Sequence, residues 1–223
     1  MKYPKINTIW KRDKKTHKII DRDFSCPEFE NIFMWRVTEK IDGTNIRVIF
    51  HRRIEPLYDG SPWQVTDVKF EGRTDNAEIP KHLIEYLEKI FPVEKFKKNF
   101  PADDIHKVIL FGEGYGPKIQ KGHKYRDDVS FILFDVVVDG WWLEYENVRD
   151  IANKLGIECV PSFGVMTWVK AIKYIKTKPQ SQIKEGLVIE GFVAKSEPMV
   201  LFRDGTPVMW KIKVKDYERH KNK

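Results

Sequence analysis

The sequence predicts an α+β domain whose sheets are mostly antiparallel. Three observations carry that reading. Within residues 45–51, Ile46, Val48 and Phe50 alternate with Arg47 and Ile49, the two-residue period of a largely buried strand. Residues 129–145, "VSFILFDVVVDGWWLEY", are two β-rich runs around Asp139-Gly140, a dipeptide suited to the positive φ angles of a tight hairpin. Residues 80–91, "PKHLIEYLEKIF", place Leu83, Leu87 and Ile90–Phe91 at helical spacing, with Pro80 fitted to a first turn.

The other elements follow in order. Residues 1–34 are basic and hold one or two short elements. Strands are expected at 35–38, 45–51, 64–70 and 106–114, the last ending in the glycines of "LFGEG". Helices are expected at 145–155 and 167–176. Strands return at 185–195, "EGLVIEGFVAK", and at 200–214, the latter folded at Asp204-Gly205. No repeat, low-complexity tract or linker divides the chain, so residues 1–223 are expected to form a single domain.

Charge narrows the partners. Forty Lys and Arg against 33 Asp and Glu leave a net charge of +7, which favours an anionic partner, nucleic acid first. The two cysteines, Cys26 and Cys159, stand far apart, so neither a disulfide scaffold nor a cysteine metal site is expected. The N-terminus, "MKYPKINTIWKRDKKTHK", has no apolar core of a signal peptide, and no stretch approaches the roughly 20 apolar residues that span a bilayer. These features fit a soluble cytoplasmic protein that is a monomer and binds no membrane.

Several chemistries are excluded. "GEGYGPK" (112–118) lacks the spacing of a phosphate-binding P-loop, and there is no G-x-S-x-G, no H-E-x-x-H and no Cys/His zinc spacing. What remains centres on "TEKIDGTNIRV" (38–48), where Lys40 stands between Glu39 and Asp42 and a glycine follows at Gly43. A lysine attacks only as the neutral amine, and its unperturbed pKa is about 10.4. Nearby cations or partial desolvation must therefore favour the neutral form. Gly43 removes a side chain where a ligand comes close, or permits positive φ. In "WKIKVK" (210–215), Lys211, Lys213 and Lys215 alternate with Trp210, Ile212 and Val214. On a strand the lysines share one face, which suits a polyphosphate or is simply a solvated basic face. Glu113 ends one expected strand and Glu185 opens another. Each is an ordinary strand-end acid, or a ligand for a divalent ion or a ribose hydroxyl.

Taken in order, the Lys-x-Asp-Gly of residues 40–43, Gly72-Arg73-Thr74, the F-G-E-G of 111–114, the aromatic strand ending at Asp135, the E-G-x-V-I of 185–189 and the K-x-K of 211–213 resemble the covalent nucleotidyltransferases. That superfamily holds ATP-dependent DNA ligases, RNA ligases and mRNA capping enzymes. The resemblance runs from about Thr38 to Asp216. "EKIDGTN", with Gly43, Thr44 and Asn45, and "LFGEGYGPKIQKG" (110–122) look most like the RNA ligase 2 and RNA-editing ligase branch.

The resemblance implies a nucleotidyltransferase, ATP-grasp-like fold and a set of roles. Lys40 would attack the α-phosphate of ATP to form a lysyl-adenylate. Glu39 and the backbone at Ile41 would read the adenine edge, and Val188 would help line the nucleotide site. Asn45, Arg73 and Glu113 would contact the ribose or the phosphate. Phe131 would stack on the adenine, with Phe134 as its rival. Lys211 and Lys213 would bind the α-phosphate. Glu185, with Asp42 and Glu113, would hold a hydrated magnesium or manganese ion, and Asp42 would orient the nucleophile or a metal-bound water. The partner would be RNA with 3′-hydroxyl and 5′-phosphate ends. A DNA ligase, a guanylyltransferase and a catalytically inactive nucleic-acid-binding relative are the competing readings. DNA ligases usually carry arginine where Asn45 stands.

Enzymes of this superfamily usually continue into a second domain, often an OB-fold. Only "VKDYERHKNK" follows the final lysine motif, so no C-terminal OB-fold or helical domain is expected. The basic stretches Lys11, Arg12, Lys14 and Lys15, and Lys215, Arg219, Lys221 and Lys223, would hold RNA phosphates in its place.

Overall fold

The structure is a computed structural model that describes residues 1–74 and 77–218. The chain divides into two compact units. A mid-chain unit comprises Met1–Tyr3 and Asp42–Cys159, and a terminal unit comprises Pro4–Ile41 and Val160–Lys223.

The terminal unit begins with β1 (Asn7–Thr8), β2 (Trp10–Arg12), β3 (Ile19–Phe24), the single turn α1 (Glu28–Asn31) and β4 (Trp35–Lys40). The mid-chain unit runs β5 (Thr44–Pro56), β6 (Pro62–Gly72), α2 (Lys81–Ile90), α3 (Val93–Asn99), β7 (Lys107–Tyr115), β8 (Ser130–Val138), β9 (Trp141–Trp142), α4 (Tyr145–Leu155) and β10 (Glu158–Cys159). The terminal unit then resumes with β11 (Ser162–Met166), α5 (Trp168–Lys176), β12 (Gly191–Ser196), β13 (Met209–Lys213) and α6 (Val214–Glu218).

The mid-chain sheet has the order β10-β8-β7-β5-β6, with β9 added to β8. Its spine is the long antiparallel hairpin β5–β6, in register from Ile46 opposite Gly72 to Pro56 opposite Pro62. The alternation read from the sequence decides the packing. Ile46, Val48 and Phe50 enter one core with Leu83 and Leu87 of α2, Phe96 of α3 and Val148 and Leu155 of α4. The other face is covered too. Arg47 is only 2% exposed. Its guanidinium donates to the carbonyls of Gly72 and Met1, each at 2.9 Å, and pairs with Glu71 at 2.9 Å. A buried charge survives only when its donors are satisfied in this way. On this face Tyr3 packs among Phe111, Phe134 and Trp142, and its hydroxyl donates to Asp135 Oδ2 at 2.5 Å.

The terminal sheet has the order β1-β13-β12-β4-β11. β12 lies antiparallel between β4 and β13, and β1 pairs parallel to β13. Trp10, Trp35, Val37, Phe192, Trp210 and Ile212 form its core with Ala171, Ile172 and Ile175 of α5.

The structure extends and corrects the sequence reading. α3 was not expected, because Phe96 is the one buried residue in its seven. β11 was not expected either. Its run is broken by Gly164, at φ +97°, and by a bulge between Ser162 and Gly164. The strand expected from Glu185 begins only at Gly191, because Glu185-Gly186 forms a turn with Gly186 at φ +75°. Of residues 200–214 only 209–213 pair as a strand, and Leu201 bridges Pro207 across Asp204-Gly205. Lys215 falls in α6, so the row of three lysines ends at Lys213. No helix among the described residues is long and apolar enough to cross a membrane.

Candidate active site

Lys40 is the last residue of β4, and its strand partner is Gly191, the first residue of β12. Gly191 also pairs with Lys213 on β13. This glycine cannot be replaced cheaply. A Cβ there would stand 2.2 Å from the Ile212 carbonyl oxygen and 2.8 Å from the Lys213 Cα. The close approach brings two lysines, far apart in sequence, to one carboxylate. Glu190 Oε2 accepts from the Lys40 ammonium at 2.6 Å, and Glu190 Oε1 forms a short ion pair with Lys213. The side chains are half-buried: 15% exposed for Glu190, 22% for Lys40 and 27% for Lys213. Burial pushes the Glu190 carboxyl up, but the ammonium groups, Lys40 foremost, overcome it and hold the carboxyl below its ordinary range. Glu190 was missed in the sequence. The signal is an acid that interrupts the apolar run of 187–193, "LVIEGFV".

Glu39, next to Lys40, is 2% exposed. Its Oε2 accepts from the Gln182 backbone N–H at 3.0 Å, while Oε1 is buried without a partner. Burial pushes this carboxyl up, against the hydrogen bonds from Ser181 and Gln182. Ile41 is buried, and its carbonyl accepts from Lys40 Nζ at 3.4 Å. Lys211 and Lys213 share the half-exposed face of β13, as the alternation predicts, with Trp210 and Ile212 buried beneath. Val188 is 39% exposed and bridges Gln180. Glu185 is exposed on its turn, just ahead of Glu190 in the chain.

The mid-chain unit holds the remaining predicted residues. Asn45 on β5 lies directly opposite Glu113 on β7, so both project from one face of the sheet. Asn45 Oδ1 is a buried acceptor without a partner, fitted to a donor such as a ribose hydroxyl. Phe111 lies on this face as well, two residues along from Glu113, and Phe134 packs over Tyr3 at 4.9 Å on the same side. Phe131 points the other way. It is 1% exposed, meets Phe91 edge-on at 5.3 Å in the helix-side core, and would be struck by a Cβ on Gly112. Its ring therefore offers no open face to a base, and Phe134 is the aromatic on the side of Asn45 and Glu113. Gly43 is also explained differently from the sequence reading. A Cβ there would stand 2.4 Å from the Gly114 carbonyl oxygen and 2.9 Å from Glu113 Cγ, so the close neighbour is β7. Asp42 is half-buried, and Arg73 is exposed just beyond β6.

Among the described residues no three His, Cys, Asp or Glu side chains gather to hold a metal by themselves. A hydrated magnesium ion needs only one or two carboxylates when phosphate oxygens supply the rest.

The RNA ligase family profile matches residues 34–213, which include every residue named in the sequence analysis for the nucleotide and the metal. The chain belongs to the RNA ligase family. No curated protein sequence matches it. Among solved structures, an apo mutant of Naegleria gruberi RNA ligase superposes with a TM-score of 0.61 at 17% identity, covering 100% of this chain and 58% of that one. A second mutant of that ligase, with ATP and Mn, gives 0.60 at 18% identity, covering 99% and 64%. An archaeal ATP-dependent RNA ligase gives 0.57 at 15% identity, covering 96% and 48%. The chain thus shares the ligase fold and spans about half to two thirds of the length of these ligases.

Proposed function

We propose that this chain is an ATP-dependent RNA ligase that works through a covalent lysyl-AMP intermediate, with residues 1–223 acting as one adenylyltransferase domain. The observation that carries the reading is the convergence of Lys40 and Lys213 on one half-buried anion. A nucleophilic lysine and a second cation held at that spacing suit the α-phosphate of a nucleotide. The family membership supplies the nucleic acid.

The chemistry then runs in three steps. Lys40 Nζ gives up a proton and bonds to the α-phosphorus, and the bond to the pyrophosphate oxygen breaks. Lys211 and Lys213 hold the α-phosphate where negative charge develops. A 5′-phosphate oxygen of RNA next attacks the same phosphorus and releases Lys40, giving an adenylylated end. A 3′-hydroxyl finally attacks the 5′-phosphate, forms the phosphodiester and expels AMP. A divalent ion, magnesium or manganese, would neutralise phosphate charge, held with phosphate oxygens by Asp42, Glu113 and Glu185. Glu39 and Ile41 are proposed to read the adenine edge, with Val188 beside it. Asn45 and Arg73 are proposed to bind the ribose or phosphate, and Phe134, rather than Phe131, to stack on the base.

The groove that would guide RNA lies in the terminal unit. It has a volume of about 690 Å³ and is lined by Lys5, Lys11, Arg12, Lys211, Lys213 and Lys215. Not all of this charge is available. Lys11 pairs with Asp23 at 2.7 Å, and Arg12 grips both oxygens of Asp216 at 3.0 Å. Lys14 and Lys15 are exposed in the turn beyond β2, and Arg219, Lys221 and Lys223 lie outside the described residues. We place the enzyme in the cytoplasm as a monomer.

The test is intact-mass spectrometry after incubation with a divalent ion and either ATP or GTP. A single added AMP on Lys40 is expected with ATP, and none with GTP. An added GMP would point to capping chemistry, and no adduct at all would remove the ligase reading. A panel of 5′-phosphorylated RNA and DNA strands, nicked and single-stranded, would then fix the polymer. Sealing of DNA in preference to RNA would overturn the RNA assignment.

A further inference from the structure

Glu190 occupies the place in the terminal unit where a phosphate is expected. Its two oxygens face two ammonium groups, one on each side, much as two phosphate oxygens would. Its position is fixed by the backbone. The Val214 N–H donates to the Glu190 carbonyl at 3.0 Å, and the next residue, Gly191, is wedged between β4 and β13. The carboxylate is therefore carried on backbone anchored just ahead of β12, and it is 15% exposed and paired twice.

An incoming anion must displace this carboxylate from both lysines. A singly or weakly charged anion recovers too little to do so, because it replaces two charge-assisted hydrogen bonds with two of the same kind and leaves Glu190 unpaired beside it. An anion with several linked charges can recover more, since Lys211 shares the face of β13 with Lys213 and both line the basic groove. We propose that Glu190 is a specificity-determining residue, an internal competitor that makes the Lys40–Lys213 pair reject single phosphates and accept linked polyphosphates. The proposal rests on the reading that this lysine pair receives the phosphate of the nucleotide.

The test is calorimetric titration of the full chain with pyrophosphate and with inorganic phosphate, without nucleotide or metal. Wild type should bind pyrophosphate and show no measurable phosphate binding. Glu190→Gln keeps the side-chain size and removes the charge. It should bind pyrophosphate roughly tenfold or more tightly and should begin to bind single phosphate, consistent with the loss of about one charge-assisted contact's worth of competition. Glu190→Asp keeps the charge, so it should still discriminate. Glu190→Gln/Lys213→Gln should lose the gain. Unchanged or weaker pyrophosphate binding in folded Glu190→Gln would overturn the proposal. If that variant does not fold, wild type and Glu190→Asp still decide: phosphate binding as tight as pyrophosphate binding in either one would overturn it. The ligase reading fails separately. If wild type forms no Lys40–AMP yet Glu190→Gln gains pyrophosphate affinity, the competitor role stands without the ligase. If Lys40–AMP forms and the gain is absent, the ligase stands and the competitor role is wrong.

Discussion

The two sheets hold their functional groups in opposite ways. The mid-chain sheet places Asn45 opposite Glu113 on paired strands of a mostly local antiparallel array, with three helices packed on one face and Arg47 and Tyr3 packed on the other. Its polar groups are inserts in a packed frame. The terminal sheet draws β1, β4, β12 and β13 from both ends of the sequence and leaves three charged side chains facing each other. The contrast teaches that emptying the packed positions of the first sheet should act through stability, and that substitutions at the charged cluster of the second should act chiefly through charge, with a small change in stability.

The sharpest way to break this contrast is at the nucleophile. Lys40→Ala should abolish AMP attachment, seen by intact mass, while leaving the melting temperature nearly unchanged. Lys40→Arg should do the same, because a guanidinium stays protonated. A large drop in melting temperature would mean that the Lys40–Glu190–Lys213 cluster supports the fold after all.

The next effect belongs to the packed frame. Phe131→Ala should cost about 3–5 kcal/mol of stability in denaturant unfolding, the usual price of emptying a buried aromatic site. Phe134→Ala should instead raise the ATP needed for AMP attachment by roughly 1–3 kcal/mol, the range for base stacking. A reversal, with stability lost at Phe134 and ATP affinity lost at Phe131, would restore the assignment drawn from the sequence.

The smallest effect is a pH dependence. The folded state holds Glu190 below its ordinary value of 4.5. A depressed carboxyl contributes stability that is present above its unfolded pKa and is lost as pH falls through the folded one. On acidification below about 4.5, wild type should therefore lose more thermal stability than Glu190→Gln. Glu39 is raised from 4.5 by burial, so its linkage runs the other way: stability present below its unfolded value is lost as pH rises through the folded one. Glu39→Gln should accordingly narrow the loss of stability between pH 4.5 and neutrality. Parallel acid curves for wild type and Glu190→Gln would show that the ion pairs contribute little to the fold.

The sequence made the mid-chain frame legible because its signals are local. The alternation at Ile46, Val48 and Phe50 and the spacing of Leu83 and Leu87 each act within a few residues. The helix expected at 145–155 is observed at Tyr145–Leu155. Lys40, Lys211 and Lys213 were recognisable by motif, and β13 shows the lysine face that the alternation implied. Glu190 showed in the sequence only as an acid interrupting an apolar run, since its meaning depends on strands meeting across about 150 residues of chain, as in the Lys40–Glu190 pair. Phe131 and Phe134 were ambiguous for a related reason. The β7–β8 register sets Ile132 opposite Glu113 and Phe131 opposite Gly114, and this pairing between strands decides which ring faces Asn45 and Glu113.

The position of β13 has a consequence for how the protein is made. It lies between β1 and β12, so the site lacks one of its two lysines until this late strand is in place. During synthesis, roughly 170 residues separate the emergence of Lys40 from that of Lys213, on the order of ten to thirty seconds at 5–20 residues per second. The mid-chain unit has time to form in that interval. Over the same period Lys40 lacks Lys213, so the nascent chain should carry no adenylylation activity until β13 has emerged and paired with β12.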